Sequence, residues 1–276
     1  MTIKAFVIGH PIAHSRSPFI HGTWLAEHAI DGSYEPIDVA PENLGVFIDD
    51  LRKGAFVGGN ATIPHKEALV ALCDVVDPLA EKIGAVNTLT VSNGRVLGSN
   101  SDYLGFLSSL DANAPGWDKK LERAIVLGAG GASRAILAAL VARKIPDIVL
   151  LNRNLARAAR LAAEFGTDIT PAPLDDFARF APAAGLVVNT SAVGMGGTRF
   201  EGLDLWALPG HAVVNDIVYT PLVTPLLADA KARGLRTVDG LGMLLYQAVP
   251  GFAAWFGTTP EVTPALREKL LGAMGQ

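Results

Sequence analysis

Apolar runs of strand length alternate with helical patterns along the first third of the chain. Predicted strands cover residues 3–8, 34–39, 55–59 and 86–91. Predicted helices cover residues 17–29, 41–52, 65–72 and 78–83. The first helix is expected to begin at Ser17 and Pro18, because serine is a common N-cap and proline fits the first helical position. Strands that alternate with helices are typical of βαβ units and mainly parallel sheets, so the pattern predicts an α/β fold.

A second region of the same kind follows a polar, turn-rich stretch at residues 111–120. It combines an apolar strand at 124–127, a glycine turn and an apolar helix at 132–143. Further strands are predicted at residues 147–151, 186–190 and 213–217. Two last helices, 243–256 and 263–274, have no strand between them, and the pattern leaves open whether they extend the second region or pack on the first. The length of 276 residues also corresponds to about two domains.

Hydrophobic residues make up 50% of the chain and the mean hydropathy is +0.32, which raises the question of a membrane span. The longest apolar stretch, residues 241–256, is shorter than the ~20 residues that a spanning helix needs. It also contains Gln247 and Pro250. The N-terminus lacks the continuous apolar segment of a signal peptide. We therefore expect a cytoplasmic protein that does not bind membranes.

Charge and metal-binding residue types narrow the function classes further. The net charge of −4 provides no broad basic field, which argues against nucleic acid or anionic lipid as a partner. The one cysteine, Cys73, is expected in the core rather than as a nucleophile. His10 and His14 have a spacing found in zinc sites, but Pro11 prevents one continuous helix face and no cysteine or acidic cluster is near, so no metal is expected. His65 is expected to face solvent.

The glycine turn is a candidate dinucleotide site. Residues 128–133 match G-x-G-x-x-G, except that Ser133 replaces the third glycine. Glycines let the backbone approach a pyrophosphate, whose charge then lies at the N-terminal amides of the following helix. The turn lies between a predicted strand and a predicted helix, which favours a dinucleotide site over a tight turn that binds nothing.

The end of the next predicted strand distinguishes between NAD and NADP. An NAD site usually has an acidic residue there to bind the ribose diol, whereas an arginine accommodates the 2′-phosphate of NADP. This chain has Asn152, Arg153 and Asn154 at that position, with Arg157 one turn further. Because guanidinium groups bind phosphate through charge-assisted hydrogen bonds, NADP is favoured. The alternative is that both arginines belong to a solvated helix face.

Three polar stretches at predicted strand ends carry the remaining candidate chemistry: residues 9–18, 59–66 and 98–105. Ligands of open α/β sheets bind at the carboxyl ends of strands, so we expect these stretches to converge. They offer hydroxyls, amides, an ammonium group at Lys66 and a carboxylate at Asp102, a set that suits a small polyhydroxylated acid. From the residues alone, Lys66 and Asp102 could equally be a surface lysine and a helix-capping aspartate.

Across its whole length the sequence resembles the shikimate dehydrogenase family. The motifs that carry the resemblance occur in the family's order: GHPIAHSRSP, GGNATIPHK, GAVNTL, GSNSDYLG, GAGGASRA, NRN, NTSAVGM, NDIVYTPL and DGLGMLLYQA. The resemblance implies a substrate-binding and catalytic domain at residues 1–104, completed by C-terminal helices at 241–276. It also implies a Rossmann-like NADP-binding domain at residues 105–240. The implied reaction is the reversible, NADPH-dependent reduction of 3-dehydroshikimate to shikimate in aromatic amino-acid biosynthesis, and the implied assembly is a monomer or a homodimer.

The resemblance also assigns roles to individual residues. The catalytic pair would be Lys66 and Asp102. Ser15 and Ser17 would bind the substrate carboxylate, and Tyr219 would lie near substrate and nicotinamide. The groups that hydrogen-bond the ring substituents would be Asn60, Thr62, Asn87 and Gln247. The cofactor would be bound by Gly128, Gly130, Gly131, Ala132, Asn152, Arg153, Asn154 and Arg157, and its nicotinamide end by Thr190, Gly240 and Met243.

Two positions depart from the family pattern, which usually has N-T-D and N-R-T. Ser101 keeps the hydroxyl of the first motif, whereas Asn154 removes a hydroxyl that can contact the 2′-phosphate. One alternative is a quinate/shikimate dehydrogenase that uses NAD, against which Arg153 and Arg157 argue. Another alternative is a non-catalytic NADP-binding sensor. The presence of both Lys66 and Asp102 argues against this alternative.

Overall fold

The computed structural model describes residues 2–166 and 168–275 and has an α/β architecture. It divides into two compact units. The first comprises residues 2–101 together with Gln247–Gly275, and the second comprises Asp102–Tyr246. These divisions lie before the predicted boundary at 104/105 and after the predicted boundary at 240/241.

The first unit contains a six-stranded sheet with the order β2-β1-β3-β5-β6-β4. Its strands are β1 (Ile3–Gly9), β2 (Gly32–Asp38), β3 (Gly58–Ala61), β4 (Val75–Val76), β5 (Thr88–Ser92) and β6 (Arg95–Ser99). Its N-terminal helices are α1 (Ser17–Glu27), α2 (Leu44–Leu51), α3 (Leu69–Leu72) and α4 (Pro78–Ile83). The core on this sheet includes the buried side chains of Phe6, Ile8, Ile48 and Leu89.

The sheet of the first unit is not parallel throughout. Strand β1 pairs in parallel with β2 and β3, but β5 is antiparallel to both β3 and β6. Strands β5 and β6 form a hairpin through Asn93 and Gly94, whose φ angles are 51° and 72°. Asn-Gly is a strong signal for a tight hairpin turn, because both residues tolerate positive φ. The sequence analysis did not predict β6, although this dipeptide marks the turn before it.

The second unit contains a parallel six-stranded sheet with the order β12-β11-β10-β7-β8-β9. Its strands are β7 (Arg123–Leu127), β8 (Ile148–Asn152), β9 (Ile169–Pro173), β10 (Ala184–Asn189), β11 (Val213–Asp216) and β12 (Arg236–Val238). Its helices include α5 (Asp102–Asn113), α6 (Gly131–Ala142), α7 (Leu155–Phe165), α8 (Phe177–Phe180) and α9 (Pro225–Ala232). The strand order is that of a doubly wound Rossmann-like sheet, whose switch point lies between β7 and β10.

Burial of strands on both faces accounts for the high hydropathy. All six residues of β10 are buried, as are four of the five in β7. Parallel strands covered by helices on both sides read as continuous apolar runs. Within residues 2–166 and 168–275, no helix is both long and apolar enough to cross a membrane.

The last two helices are α10 (Gly240–Phe256) and α11 (Pro264–Met274), and α10 continues through the second division between the units. The part of the chain from Gln247 onward packs on the first unit. Trp255 Nε1 donates to the carbonyl of Leu89 at 2.9 Å, and Trp24 Nε1 donates to the carbonyl of Glu261 at 3.2 Å.

We predict that Gly59→Ala destabilises the fold. Gly59 pairs with Phe6 in the sheet, and a Cβ at this position would lie 2.3 Å from the Phe6 carbonyl oxygen. Forcing an atom into a packed interior costs about 1–3 kcal/mol, so the urea midpoint should fall. The matched control is Gly45→Ala in α2, where no atom lies within 4 Å of an added Cβ. There the substitution should stabilise by about 0.5–1 kcal/mol, because glycine is a poor helix former. Equal midpoints for the two variants would contradict the prediction.

Candidate functional site

The loop after β1 carries the two serines assigned to the substrate carboxylate. Ser17 is the first residue of α1 and is 7% exposed. Its backbone N–H donates to Ser15 Oγ at 3.3 Å, so the two serines lie side by side at the start of the helix. Ser15 is more exposed than its neighbour.

Beside this loop, a buried hydrogen-bond network joins three strands of the first unit. The Tyr34 hydroxyl donates to Asn60 Oδ1 at 2.6 Å. Asn60 Nδ2 donates to Thr88 Oγ1 at 3.2 Å, and Thr88 Oγ1 donates to Asn87 Oδ1 at 2.9 Å. The backbone N–H of Ser101 donates to the same Asn87 oxygen at 2.8 Å. The network therefore brings together two of the amides that the sequence assigns to the substrate ring.

A third amide reaches the network from the C-terminal segment. The Ser101 hydroxyl lies 3.5 Å from Gln247 Oε1, on α10. Gln247 was predicted as a site residue, whereas Tyr34, Thr88 and Ser101 were not. Thr88 and Ser101 lie in the same motifs as named residues, so they could have been found there. Tyr34 lies inside an ordinary strand pattern and has no local signal.

The loop after β3 holds the backbone of Lys66 next to the same network. The Lys66 carbonyl accepts from the Val86 N–H at 2.8 Å, immediately before Asn87. Within the loop, the His65 N–H donates to the Thr62 carbonyl at 2.9 Å. Lys66 and Thr62 are both partly exposed.

The expectation that His65 faces solvent is wrong. Its side chain is 1% exposed, and Nε2 lies 2.8 Å from the carbonyl oxygen of Val39, with which it is hydrogen-bonded. The residue that supplies this partner is 26 positions away along the chain. The sequence around His65 therefore gives no signal that this side chain is buried.

Asp102 is the first residue of α5 and directly follows Ser101. It belongs to the second unit, whereas Lys66 belongs to the first. The pairing of the two side chains in one catalytic site stays a prediction.

His10 is paired with an acid rather than with other histidines. Its Nδ1 lies 2.6 Å from Asp38 Oδ1, and this hydrogen bond is the main cause that lowers the pKa of Asp38. In the parts of the chain that the structure describes, no three histidine, cysteine or acidic side chains form a group suited to a metal ion.

The glycine turn of the second unit connects β7 to α6. Gly128 has φ +101°, and a Cβ there would lie 2.9 Å from Ser191 Cβ, so only glycine fits without strain. Gly130 is the N-cap of α6, no side chain caps this end, and no atom lies within 4 Å of an added Cβ. The Ser133 hydroxyl donates to the Gly130 carbonyl at 2.5 Å. An open backbone face at a helix N-terminus is a donor set that fits a pyrophosphate.

Hydrogen bonding by the Thr190 side chain connects the end of β10 to the glycine turn. Its hydroxyl lies within hydrogen-bond distance of two carbonyl oxygens of the turn, 2.9 Å from Leu127 and 3.0 Å from Gly128. The contact lies at the switch point of the sheet, where ligands of doubly wound folds bind.

The residues after β8 organise the start of α7. Asn152 Oδ1 accepts from the Ala129 N–H of the glycine turn at 3.3 Å. Asn154 caps α7, because its Oδ1 accepts from the Arg157 N–H at 3.0 Å. Asparagine serves as well as threonine in this role, so the departure from the family pattern leaves the helix end intact.

Arg153 and Arg157 are both exposed beside this cap. Over residues 2–166 and 168–275, neither guanidinium group makes a hydrogen bond or an ion pair. Two uncommitted guanidinium groups near the glycine turn fit a phosphate on the ribose.

The loops after β10 and β11 are joined by a buried carboxyl group. Asp216 accepts from Thr224 Oγ1 at 2.7 Å, from Asn189 Nδ2 at 2.9 Å and from the Val218 N–H at 3.0 Å. Burial is the main cause that raises the pKa of Asp216, and these hydrogen bonds oppose it. Tyr219 follows in the same loop. Asp216 was not named from the sequence, although it lies in the same motif as Tyr219 and could have been found there.

The start of α10 lies directly against this loop. A Cβ on Gly240 would lie 2.2 Å from the Ile217 carbonyl oxygen, which explains a glycine at this position. Met243 follows one turn later and is partly buried. The structure therefore places Thr190, Tyr219 and Gly240 on loops that border one another within the second unit.

The mixed first sheet, the doubly wound second sheet and the open glycine turn together define a two-unit α/β protein with a Rossmann-like unit. Residues 7–89 match the profile of a "Shikimate dehydrogenase substrate binding domain", and residues 113–195 match that of "Shikimate / quinate 5-dehydrogenase". The chain belongs to the shikimate dehydrogenase family, which confirms the predicted family and fold class.

Three relatives illustrate the match. A shikimate dehydrogenase (NADP(+)) of Brucella abortus is 53% identical, over 99% of this chain and 95% of the relative. The crystal structure of a Thermus thermophilus shikimate 5-dehydrogenase in complex with NADP(H) and shikimate is 38% identical, with a TM-score of 0.87 over 99% of each chain. A quinate dehydrogenase from Corynebacterium glutamicum in complex with NAD is 29% identical, with a TM-score of 0.90 over 98% of this chain and 99% of the other.

We predict that Asp216 makes the stability of the protein dependent on pH. A raised pKa in the folded state means that folding favours the protonated carboxyl group. This contribution is largest below the unfolded pKa of about 3.9 and falls as the pH rises through the folded pKa. In Asp216→Asn the group no longer titrates. The urea midpoint of the native protein minus that of the variant should therefore be larger at pH 4 than at pH 7. A difference that grows towards pH 7 would contradict the prediction.

Proposed function

We propose that this protein catalyses the reversible, NADPH-dependent reduction of 3-dehydroshikimate to shikimate, a step of aromatic amino-acid biosynthesis. The observation that carries the proposal is the buried network in which Asn60, Asn87 and Gln247 converge at one end of the first sheet. A set of hydroxyls and amides held in fixed orientation suits a ring that carries several hydroxyl groups. The relatives named above act on such a substrate.

In this proposal each unit binds a different ligand. The first unit binds the substrate: Ser15 and Ser17 hold its carboxylate, and Asn60, Thr62, Asn87 and Gln247 hold the ring substituents. Tyr219 contacts the substrate near the nicotinamide. The predicted division at 104/105 and 240/241 remains our expectation for the functional domains.

The second unit binds NADP. The backbone N–H groups of Gly128, Gly130, Gly131 and Ala132 would donate hydrogen bonds to the pyrophosphate. Asn152, Arg153, Asn154 and Arg157 would hold the 2′-phosphate. Thr190, Gly240 and Met243 would hold the nicotinamide end. When bound, NADPH supplies the hydride that reduces the ketone carbon.

The chain's own residues handle the proton. Hydride transfer to a ketone builds negative charge on the carbonyl oxygen, which has to be stabilised and protonated. The Lys66 ammonium group donates this proton in the direction of reduction, and its amine takes the proton back in the direction of oxidation. Asp102, the second member of the predicted catalytic pair, accepts a hydrogen bond from a substrate hydroxyl.

A second candidate is an NAD-dependent quinate/shikimate dehydrogenase, which the likeness to the Corynebacterium quinate dehydrogenase favours. The uncommitted Arg153 and Arg157, with no acidic residue among positions 152–157, favour NADP instead. A non-catalytic NADP-binding sensor would have no need for Lys66 or Asp102. We also propose a cytoplasmic location, and small molecules rather than nucleic acids as partners.

The proposal is tested by measuring reduction of NADP with shikimate or quinate, each repeated with NAD. We expect the highest kcat/KM for shikimate with NADP, because two guanidinium groups select the 2′-phosphate. A higher kcat/KM for quinate with NAD would replace the proposal by the second candidate. NADP binding without turnover of either acid would indicate the sensor.

A second prediction concerns Lys66→Ala. Loss of a general acid–base group lowers turnover by about 100-fold or more, whereas binding of the substrate should change little. The control is Lys82→Ala, which removes an exposed lysine in α4 and should leave both quantities unchanged. If Lys66→Ala retained native turnover, the role assigned to this lysine would be wrong.

A further inference from the structure

Tyr34 lies at one end of the buried network and is held by aromatic packing. It is 7% exposed, and its ring stacks on that of His21 at 4.0 Å with an interplanar angle of 10°. His21 is fully buried, and neither of its ring nitrogens has a hydrogen-bond partner in the described part of the chain. Burial lowers the pKa of His21 to about 3, so the ring is neutral and packs as an apolar plate. The phenol of Tyr34 is thus fixed in plane and points its hydroxyl at Asn60.

The direction of the next hydrogen bond is set by the Asn60 amide. Its nitrogen can only donate, so the Thr88 hydroxyl accepts from Asn60 Nδ2 and keeps its single proton for Asn87 Oδ1 at 2.9 Å or Ser101 Oγ at 3.2 Å. The second Nδ2 proton of Asn60 is donated to the Asn87 carbonyl at 3.1 Å. Both N–H groups of the Asn60 amide are therefore committed. Its Oδ1 faces Tyr34, and burial raises the pKa of the phenol, which keeps the hydroxyl protonated as a donor.

This arrangement fixes what Asn60 can offer a ligand. With both amide protons used and one lone pair of Oδ1 occupied by Tyr34, Asn60 has only the second lone pair of Oδ1 left. It can accept a hydrogen bond but cannot donate one. We propose that Tyr34 is a positioning residue for substrate binding, whose hydroxyl locks the Asn60 amide as an acceptor for a ring hydroxyl of the substrate.

The hydrogen bonds continue from Thr88 to the second amide. Asn87 Oδ1 lies 2.9 Å from the Thr88 hydroxyl, and Asn87 Nδ2 donates to Ser101 Oγ at 3.2 Å. The inference rests on the proposed function for the identity of the substrate.

The direct test is Tyr34→Phe, which keeps the ring and removes only the hydroxyl. Loss of one buried hydrogen bond to Asn60 should raise the KM and the Kd for shikimate about tenfold. The KM for NADP should stay unchanged and kcat should change less than about twofold, because the variant alters neither the proton donor nor the second unit. Unchanged KM and Kd for shikimate in a folded variant would overturn the proposal.

A matched control separates positioning from loss of stability. Trp24→Phe removes the partly buried hydrogen bond from Trp24, a member of the same aromatic cluster, to the Glu261 carbonyl. It should lower the melting temperature and leave the KM for shikimate at the native value. If both variants raised that KM equally, the effect of Tyr34 would be merely structural and the proposal would fail.

Two further variants test the route of the effect. Thr88→Val breaks the chain at its next link and preserves side-chain shape, so it should raise the KM for shikimate even if Tyr34→Phe does not fold. Adding Tyr34→Phe to Asn60→Ala should raise the KM little beyond that of Asn60→Ala alone, because the lock acts through this amide. Native binding by Thr88→Val, or fully additive effects in the double variant, would contradict the proposal.

Measuring the Kd for shikimate by calorimetry, with no turnover involved, keeps this inference separate from the proposed function. If the native protein binds shikimate but does not oxidise it, the proposed function fails and the effect of Tyr34→Phe on Kd still decides the inference. If the native protein turns shikimate over and Tyr34→Phe binds it normally, only the inference fails. If the native protein does not bind shikimate at all, both fail.

Discussion

Burying a polar side chain without a hydrogen-bond partner costs free energy, and the network of buried amides in the first unit begins at the hydrogen bond from Tyr34 to Asn60. Asn60 lies in β3 and is 5% exposed, so water contributes little to its amide. Its partners lie in β2 and β5, so these hydrogen bonds join three strands of the sheet. Each of these partners is itself buried and makes a further hydrogen bond. The series of hydrogen bonds continues in this way to Ser101 and Gln247. The candidate binding surface is thus a consequence of how the sheet satisfies its buried amides.

In the second unit, the buried polar group that is held by several hydrogen bonds is a carboxyl group. Asp216 is fully buried and accepts from a side-chain hydroxyl, a side-chain amide and a backbone N–H of two neighbouring loops. Thr190 links the first of these loops to the glycine turn. Loops at the end of a parallel sheet are otherwise free to move, and cross-links of this kind hold the backbone that a nucleotide would approach.

Short sequence patterns predicted those helices, strands and turns whose structure depends on a few neighbouring residues. The glycine turn, the proline at the start of α1 and the long apolar runs of β7, β8 and β10 all mark their elements in sequence. Strands β9 and β12 were not predicted, because they lie at the edges of the sheet and read ITPAP and RTV. Edge strands tolerate proline and need no continuous apolar pattern. In the first sheet, antiparallel pairing of β5 depends on a two-residue turn rather than on hydrophobic periodicity.

By itself the sequence determined the alternation of strands and helices, the position of the glycine turn and the set of residue types at the strand ends, because each depends on a few consecutive residues. Its ordered motifs also identified the family. Only the tertiary structure decided which polar side chains are buried together. Tyr34 and Asn60 are 26 positions apart, as are His65 and Val39, while Ser101 and Gln247 are separated by 146. Such partners are selected by the pairing of strands and the return of the C-terminal segment to the first unit, and no local pattern encodes either.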